Sequence, residues 1–178
     1  MNRTKIITLL SDTTTRTQYG AICWRMHKAG IQVLLVTSRD TGRWIIPKGW
    51  PVEGATDAGS AEREAWEEAG VLGKMLPLCL GVYAYDKVVI PGRSIPCVVA
   101  VYPLRVTELK KRFPERKQRR RKWFSIEDAI RKVAEPELRQ ILSEFRPPNE
   151  AAIAAAGLAA MPGQASGNPP VESPRDSD

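Results

Sequence analysis

The alternation of hydrophobic and polar residues predicts several strands and few helices in the first part of the chain. The strands are predicted at residues 19–25, 31–37, 44–46, 75–85 and 95–106. A polar loop that ends in Gly30 separates the first two, which is typical of a β-hairpin, and Pro91 with Gly92 predicts a turn between the last two. Because the strands do not alternate regularly with helices, the pattern favours a mixed β-sheet with helices on its faces.

Three segments have the terminal residues and spacing of α-helices. They are predicted from residue 56 or 57 to 69, over 126–133 and over 138–145. Thr56 and Asp57 both favour the N-terminus of the first helix, and Gly70 is the residue type that often ends one. Ser125 can cap the second helix. Residues 48–55 contain too much glycine and proline for regular structure, which predicts a loop before the first helix.

The length of 178 residues predicts one folded domain with flanking segments. We expect an N-terminal extension over residues 1–14, a domain over 15–146, and a disordered tail over 147–178, where alanine, proline and glycine dominate. No apolar run approaches the ~18–20 residues that cross a bilayer. We therefore expect a cytoplasmic protein without a membrane partner.

Positive charge is concentrated in one stretch of the domain. The chain carries +7 overall, but the tail carries −3, which leaves +10 on the residues before it. Residues 110–122 contain nine basic side chains and one acid, Glu115. Such a stretch favours acidic partners, either a phosphorylated small molecule or nucleic acid, and a solvated or RNA-attracting surface is an equally good interpretation of the stretch alone.

Three glutamates on the first predicted helix are candidates for catalysis. Glu64, Glu67 and Glu68 have i, i+3 and i+4 spacing, which places them on one helix face. Like charges at this spacing destabilise a helix unless a cation compensates them, and a hard divalent ion prefers such oxygen ligands. A solvated acidic face is the alternative. Since the chain has one histidine, zinc chemistry and histidine-dependent triads are disfavoured.

The residues around these glutamates form a known pattern. Gly49 is followed, in register, by Arg63-Glu64-Ala65-Trp66-Glu67-Glu68-Ala69-Gly70-Val71. This arrangement resembles the Nudix box, in which a loop, a helix and a second loop hold the catalytic carboxylates. Ala55 departs from the pattern because it occupies the position of the first glutamate of the box. The resemblance implies that an outer metal contact is lost there unless the nearby Glu53 replaces it. It also implies that the helix carboxylates retain catalysis.

The resemblance implies a fold, a cofactor and residue roles. The fold would be an α/β, Nudix-type α/β/α sandwich with a mixed β-sheet. Glu64 and Glu68 would bind Mg2+ or Mn2+, and Glu67 would be a further ligand or the base that orients water. Arg63 and Gly70 would support the carboxylates structurally. The chain would then be a metal-dependent hydrolase of diphosphate bonds, a reaction that needs charge compensation rather than a covalent nucleophile.

Two segments outside the box indicate a substrate. Residues 43–49 and 119–129 are similar to the diphosphoinositol polyphosphate phosphohydrolases, a branch that also cleaves diadenosine polyphosphates. Substrate binding is predicted for the basic and loop residues Arg39, Arg43, Lys48, Gly49, Trp50, Arg119, Arg120 and Arg121.

Other functions stay open at this point. A Nudix enzyme could instead act on RNA 5′ ends or on ADP-ribose-type nucleoside diphosphates. A non-catalytic phosphate- or RNA-binding module is a third possibility, which the intact helix carboxylates disfavour. The sequence leaves the choice of metal and the oligomeric state open.

Overall fold

Eight strands form one mixed sheet in the described residues, 14–90 and 92–149, of the computed structural model. The strands are β1 (Arg16–His27), β2 (Gly30–Thr37), β3 (Trp44–Ile45), β4 (Lys48–Gly49), β5 (Val71–Met75), β6 (Gly81–Ile90), β7 (Arg93–Leu109) and β8 (Arg121–Ser125). Central β1 pairs antiparallel with β2 and β4 and parallel with β7. Strand β7 pairs antiparallel with β5 and β6, and β2 pairs antiparallel with β3 and β8. The predicted hairpin and mixed sheet are confirmed.

Three helices are present in the same residues, and their ends follow the predicted capping. They are α1 (Asp57–Ala69), α2 (Ile126–Lys132) and α3 (Pro136–Glu144). The Thr56 side chain accepts a hydrogen bond from the Gly59 backbone, and Gly70 ends α1 with a left-handed φ of 63°. The Ser125 side chain accepts one from the Asp128 backbone. None of these helices is long and apolar enough to cross a bilayer.

Side chains alternate between the two faces of the sheet, and each face has its own core. In β1, Ala21 and Cys23 face the side covered by α1, whereas Ile22 and Trp24 face the side covered by α2 and α3. The α1 contribution is a row of buried alanines: Ala58, Ala61, Ala65 and Ala69. Small side chains let α1 lie close to the sheet, so the carboxylates on its other side have a fixed position.

The predicted strand over residues 75–85 is wrong. Strand β5 begins directly after Gly70 and ends at Met75, and residues 76–80 have no regular structure before β6 begins at Gly81. Pro77 in this interval has no N–H to donate to a ladder. The single predicted strand is therefore two strands that pair with different parts of the long β7.

The predicted loop over residues 48–55 contains a short strand. In β4, Lys48 and Gly49 pair with Gly20 and Tyr19 of β1. This pairing holds the start of the loop against the sheet, beside the N-terminal half of β1. The predicted extension over 1–14 and the predicted tail over 147–178 lie outside the described residues, except for residue 14 and residues 147–149.

Candidate active site

Five carboxylates, four from glutamates and one from Asp40, line one pocket of about 180 Å³ between α1 and the sheet. Glu64, Glu67 and Glu68 come from α1, and Glu115 comes from the segment between β7 and β8. The sequence did not predict that Glu115 belongs to the site. The available signal was its position as the single acid of the basic stretch 110–122. The structure thus brings the three predicted glutamates together and adds a fourth.

Glu68 is the most deeply buried of these side chains, with 5% of its surface exposed. Its Oε1 accepts a hydrogen bond from the buried guanidinium of Arg119, and its Oε2 accepts one from the Lys48 backbone N–H at 3.1 Å. Burial raises the pKa of Glu68 to about 6, although the positive charges of Arg119 and Lys48 oppose the rise. Glu68 is therefore ionised at neutral pH.

Glu64 lies against the backbone of β4. A Cβ atom on Gly49 would overlap the Glu64 carboxyl group, so a larger residue at this position would force the carboxyl group to move. Burial, together with the negative charges of Glu68 and Glu67, raises the pKa of Glu64 to about 7. Burial is the largest cause of this raised pKa, and the neighbouring carboxylates add to it.

The close approach of Gly49 and Glu64 leads to a first prediction. Gly49→Ala is expected to lower kcat about tenfold to a hundredfold, because the added methyl group displaces the Glu64 carboxylate from its position. Steady-state kinetics of diphosphate hydrolysis would measure kcat for the variant and for wild type. Gly59→Ala is the matched control, since Gly59 lies in α1 without lining the pocket. Equal activity of Gly49→Ala and wild type would show that the carboxylate position is unimportant.

Glu67 and Glu115 are connected to each other and to arginines. The Glu67 side chain pairs with Arg63, and the Glu67 backbone carbonyl accepts a hydrogen bond from the Glu115 backbone N–H at 3.0 Å. The Glu115 carboxylate pairs with Arg39 at 3.2 Å and with Arg119 at 2.6 Å. Arg119 therefore joins Glu68 and Glu115, and it lies inside the carboxylate pocket.

Lys48 brings a half-buried amine to the same pocket. Its Nζ donates to the Tyr85 hydroxyl at 2.9 Å, and that hydroxyl donates to Gln18 Oε1 at 2.6 Å. Burial lowers the pKa of Lys48 to about 8, and the nearby Lys87 lowers it as well. Lys48 therefore remains largely protonated at pH 7 and offers a fixed cation to a phosphate. The parts of Gln18 and Tyr85 were not predicted.

The predicted substrate residues line three different pockets. Those that line the carboxylate pocket are Arg39, Lys48, Gly49, Trp50 and Arg119. Arg43 lines an adjacent pocket. Arg120 and Arg121 instead line a separate basic cleft of about 410 Å³. The Arg121 guanidinium donates to the carbonyls of Ala69 and Lys110, so it also holds the C-terminal end of α1, next to Gly70.

The position of the missing box glutamate lies away from the pocket. Ala55 and Glu53 are both exposed, and neither lines the pocket. Glu53 therefore does not replace the missing carboxylate in this structure.

The residues of the pocket fit a divalent cation in their chemistry. Several carboxylates line the pocket, which suits Mg2+ or Mn2+, and burial together with the neighbouring carboxylates raises the pKa of Glu64. Within residues 14–90 and 92–149, however, no group of three or more histidine, cysteine, aspartate or glutamate side chains is arranged to hold a metal ion. Glu67 and Glu68 are paired with Arg63 and Arg119, so ion binding requires these pairs to loosen.

A comparison with protein families identifies the chain. The family model described as NUDIX domain matches residues 15–145. The chain belongs to the Nudix hydrolase family.

The chain is similar in sequence to two relatives that have different names. Nudix hydrolase 12, mitochondrial, of Arabidopsis thaliana is 31% identical over 150 residues, which cover 75% of this chain and 74% of that protein. Diphosphoinositol polyphosphate phosphohydrolase 3-alpha of Homo sapiens is 36% identical over 114 residues, which cover 63% of this chain and 65% of the human protein. The match thus spans slightly less than two thirds of the human relative.

Solved structures share the fold. The C. elegans Ap4A hydrolase has a TM-score of 0.54 at 21% identity, covering 74% of this chain and 96% of that one. The E. coli dihydroneopterin triphosphate pyrophosphohydrolase has a TM-score of 0.57 at 17% identity, covering 75% and 97%. The expected α/β/α sandwich with a mixed sheet is confirmed.

Proposed function

We propose that this chain uses Mg2+ or Mn2+ to hydrolyse phosphoanhydride bonds in polyphosphorylated small molecules, either diphosphoinositol polyphosphates or diadenosine polyphosphates. The observation that carries the proposal is the pocket in which the α1 carboxylates face the cations of Lys48, Arg39 and Lys87. Carboxylates suit the ions that accompany phosphates, and the basic side chains suit the phosphates themselves.

The residues of the pocket have separate tasks in this proposal. Glu64 and Glu68 would hold the ion, with Glu67 as a further ligand or as the base that orients the attacking water. A bound divalent ion neutralises phosphate charge and acidifies water, and Nudix hydrolases generally need one. Lys48, fixed by Tyr85, holds a phosphate oxygen beside the carboxylates. Each of these contacts positions or neutralises a reactant, which is what phosphoryl transfer requires.

Cations beyond the pocket favour a substrate with several phosphates. Within the described part of the chain, Arg116 and Arg120 form no ion pair, although both line the basic cleft. Arg119 lines this cleft as well as the carboxylate pocket, so the two are adjacent. Unpaired guanidinium groups bind phosphate oxygens with two parallel hydrogen bonds.

The names of similar proteins support the same class. One relative is a diphosphoinositol polyphosphate phosphohydrolase, and one solved neighbour is an Ap4A hydrolase. Both names describe compounds that carry several phosphate groups. The cytoplasm remains the proposed location.

A substrate panel tests the proposal. Purified protein is expected to hydrolyse diphosphoinositol pentakisphosphate or diadenosine tetraphosphate at least tenfold more efficiently than ADP-ribose, because each additional charge-assisted contact contributes about 1.5–3 kcal/mol. Activity should disappear with a chelator and return with added Mg2+ or Mn2+. A preference for ADP-ribose or for triphosphorylated RNA 5′ ends would contradict the substrate class. Full activity in the chelator would contradict the metal requirement.

A further inference from the structure

A buried carboxylate outside the α1 cluster has an oxygen without a partner. Glu135 immediately precedes α3 and is 8% exposed. Its Oε1 lies 3.6 Å from a guanidinium nitrogen of Arg43, which is an ion-pair distance but a long one for a hydrogen bond. Its Oε2 is buried and, among the described residues, has no hydrogen-bond partner. Such an acceptor is costly to leave unsatisfied.

Arg43 is not placed to satisfy both oxygens. Its Nε donates to the Thr41 hydroxyl at 3.2 Å, and about half of its side-chain surface is exposed. The guanidinium is therefore held at the rim, and Glu135 Oε2 remains without a donor among the described residues.

Glu135 lines a pocket that continues the carboxylate pocket. This second pocket has a volume of about 70 Å³. Both pockets are lined by Ser38, Asp40, Ile45, Lys48 and Lys87. A substrate whose phosphates contact Lys48 and Lys87 can therefore extend its next group toward Glu135. Tyr85 and Val88 add apolar surface to the walls there.

We propose that Glu135 is a specificity-determining residue that accepts a hydrogen bond from a hydroxyl or amino group on the non-phosphate part of the substrate. This inference rests on the proposed function and narrows it: the favoured substrates are nucleoside polyphosphates, such as diadenosine polyphosphates. A nucleoside has ribose hydroxyls and base N–H groups that can donate to the Glu135 carboxylate, which lines the second pocket. It also has a ring system that can contact Tyr85.

A fully phosphorylated inositol ring is a poor match for the same position. Each of its hydroxyl oxygens carries a phosphate, so it offers acceptors and negative charge where Glu135 requires a donor. Contact would leave Oε2 unsatisfied and would bring two negative groups together. Sites built to hydrogen-bond one substrate group discriminate strongly against analogues that lack it.

The test compares two substrates in two matched variants. Wild type is expected to have a higher kcat/KM for diadenosine tetraphosphate than for diphosphoinositol pentakisphosphate. Glu135→Gln should lower the ratio of these two values at least tenfold, because it removes the negative charge and adds an N–H2 group that can donate to phosphate. Glu137→Gln is the control, since Glu137 is exposed in the first turn of the same helix. It should leave the ratio within about twofold of wild type. A ratio unchanged in Glu135→Gln, or lowered equally in Glu137→Gln, would overturn the proposal.

A binding measurement separates this inference from the proposed function. Calorimetry without metal, in a Glu64→Gln background, would compare adenosine 5′-monophosphate with inositol hexakisphosphate. Glu135→Gln should weaken nucleotide binding at least tenfold and leave inositol hexakisphosphate binding equal or tighter. This result would support the Glu135 assignment even if neither polyphosphate were hydrolysed, in which case only the proposed function would fail. Equal weakening of both ligands would indicate a misfolded pocket and would overturn the assignment.

Discussion

Replacing Glu64 by glutamine is expected to lower kcat by about 10²–10⁴-fold while the fold stays intact. Glutamine has nearly the same volume, so it fits against Gly49, but it cannot become an anionic ligand. Burial and the neighbouring carboxylates of Glu68 and Glu67 raise the pKa of Glu64 to about 7, so a bound cation would stabilise its ionised form. Hydrolysis at saturating Mg2+, with thermal unfolding measured in parallel, tests this expectation.

The same helix supplies the control for this variant. Glu62→Gln removes an identical charge from an exposed position that does not line the pocket, and it should retain wild-type kcat. Glu68→Gln should lose activity as Glu64→Gln does. If Glu64→Gln kept most of its rate at saturating Mg2+, the assignment of Glu64 as a metal ligand would be wrong.

The pH dependence of metal-free stability provides a second measurement on Glu64. Its pKa is about 7 in the folded protein and 4.5 in the reference state. A carboxyl group with a raised folded-state pKa contributes stability that is fully present below the lower value and is lost as pH rises through the higher one. Without metal, wild type should therefore lose more stability between pH 5 and pH 8 than Glu64→Gln does. An equal loss in both proteins would show that Glu64 is not the titrating group.

Much of α1 could be predicted because its signals are local. Thr56 and Gly70 specify the ends of α1, and the alanine row specifies its buried face. With both ends and one face known, the i, i+3 and i+4 spacing places the three glutamates together. The predicted strand over 75–85 failed for the opposite reason. Pro77 is a local signal for the break between β5 and β6, but the pairing of these strands with two different parts of β7 is not visible in the local pattern.

The remaining parts of the site depend on contacts between distant residues. Gln18 and Tyr85 are separated by 67 positions, and their hydrogen bond exists because β1 and β6 both flank β7. Glu135 has no sequence signal beyond its place before a helix-starting proline. The run of basic residues also does not distinguish Arg119 from Arg121, because their different contacts are with residues such as Glu68 and Ala69 that lie far away in the sequence.

Arg119→Ala is expected to lower the free energy of unfolding by about 3–5 kcal/mol in the absence of metal. The guanidinium and its partner Glu68 have side-chain exposures of only 5% and 6%, and Arg119 also donates to the Thr37 carbonyl at 2.9 Å. Without it, the Glu68 carboxylate would be buried with the Lys48 backbone N–H as its remaining described hydrogen-bond donor. Thermal or denaturant unfolding would measure the loss. Arg131→Ala is the matched control, since its pair with Asp128 is exposed and should contribute less than about 1 kcal/mol.

Added metal should reduce the loss of folding stability that Arg119→Ala causes. A divalent ion held by Glu68 supplies the positive charge that the variant has lost, and in wild type the same ion must first displace the guanidinium. Saturating Mg2+ should therefore stabilise Arg119→Ala more than it stabilises wild type. The double variant Arg119→Ala/Glu68→Gln, which has no buried charge to compensate, should regain part of the lost stability and should lack this additional response to Mg2+. If Mg2+ stabilised wild type and Arg119→Ala equally, the metal ion would not compete with Arg119 for the Glu68 carboxylate.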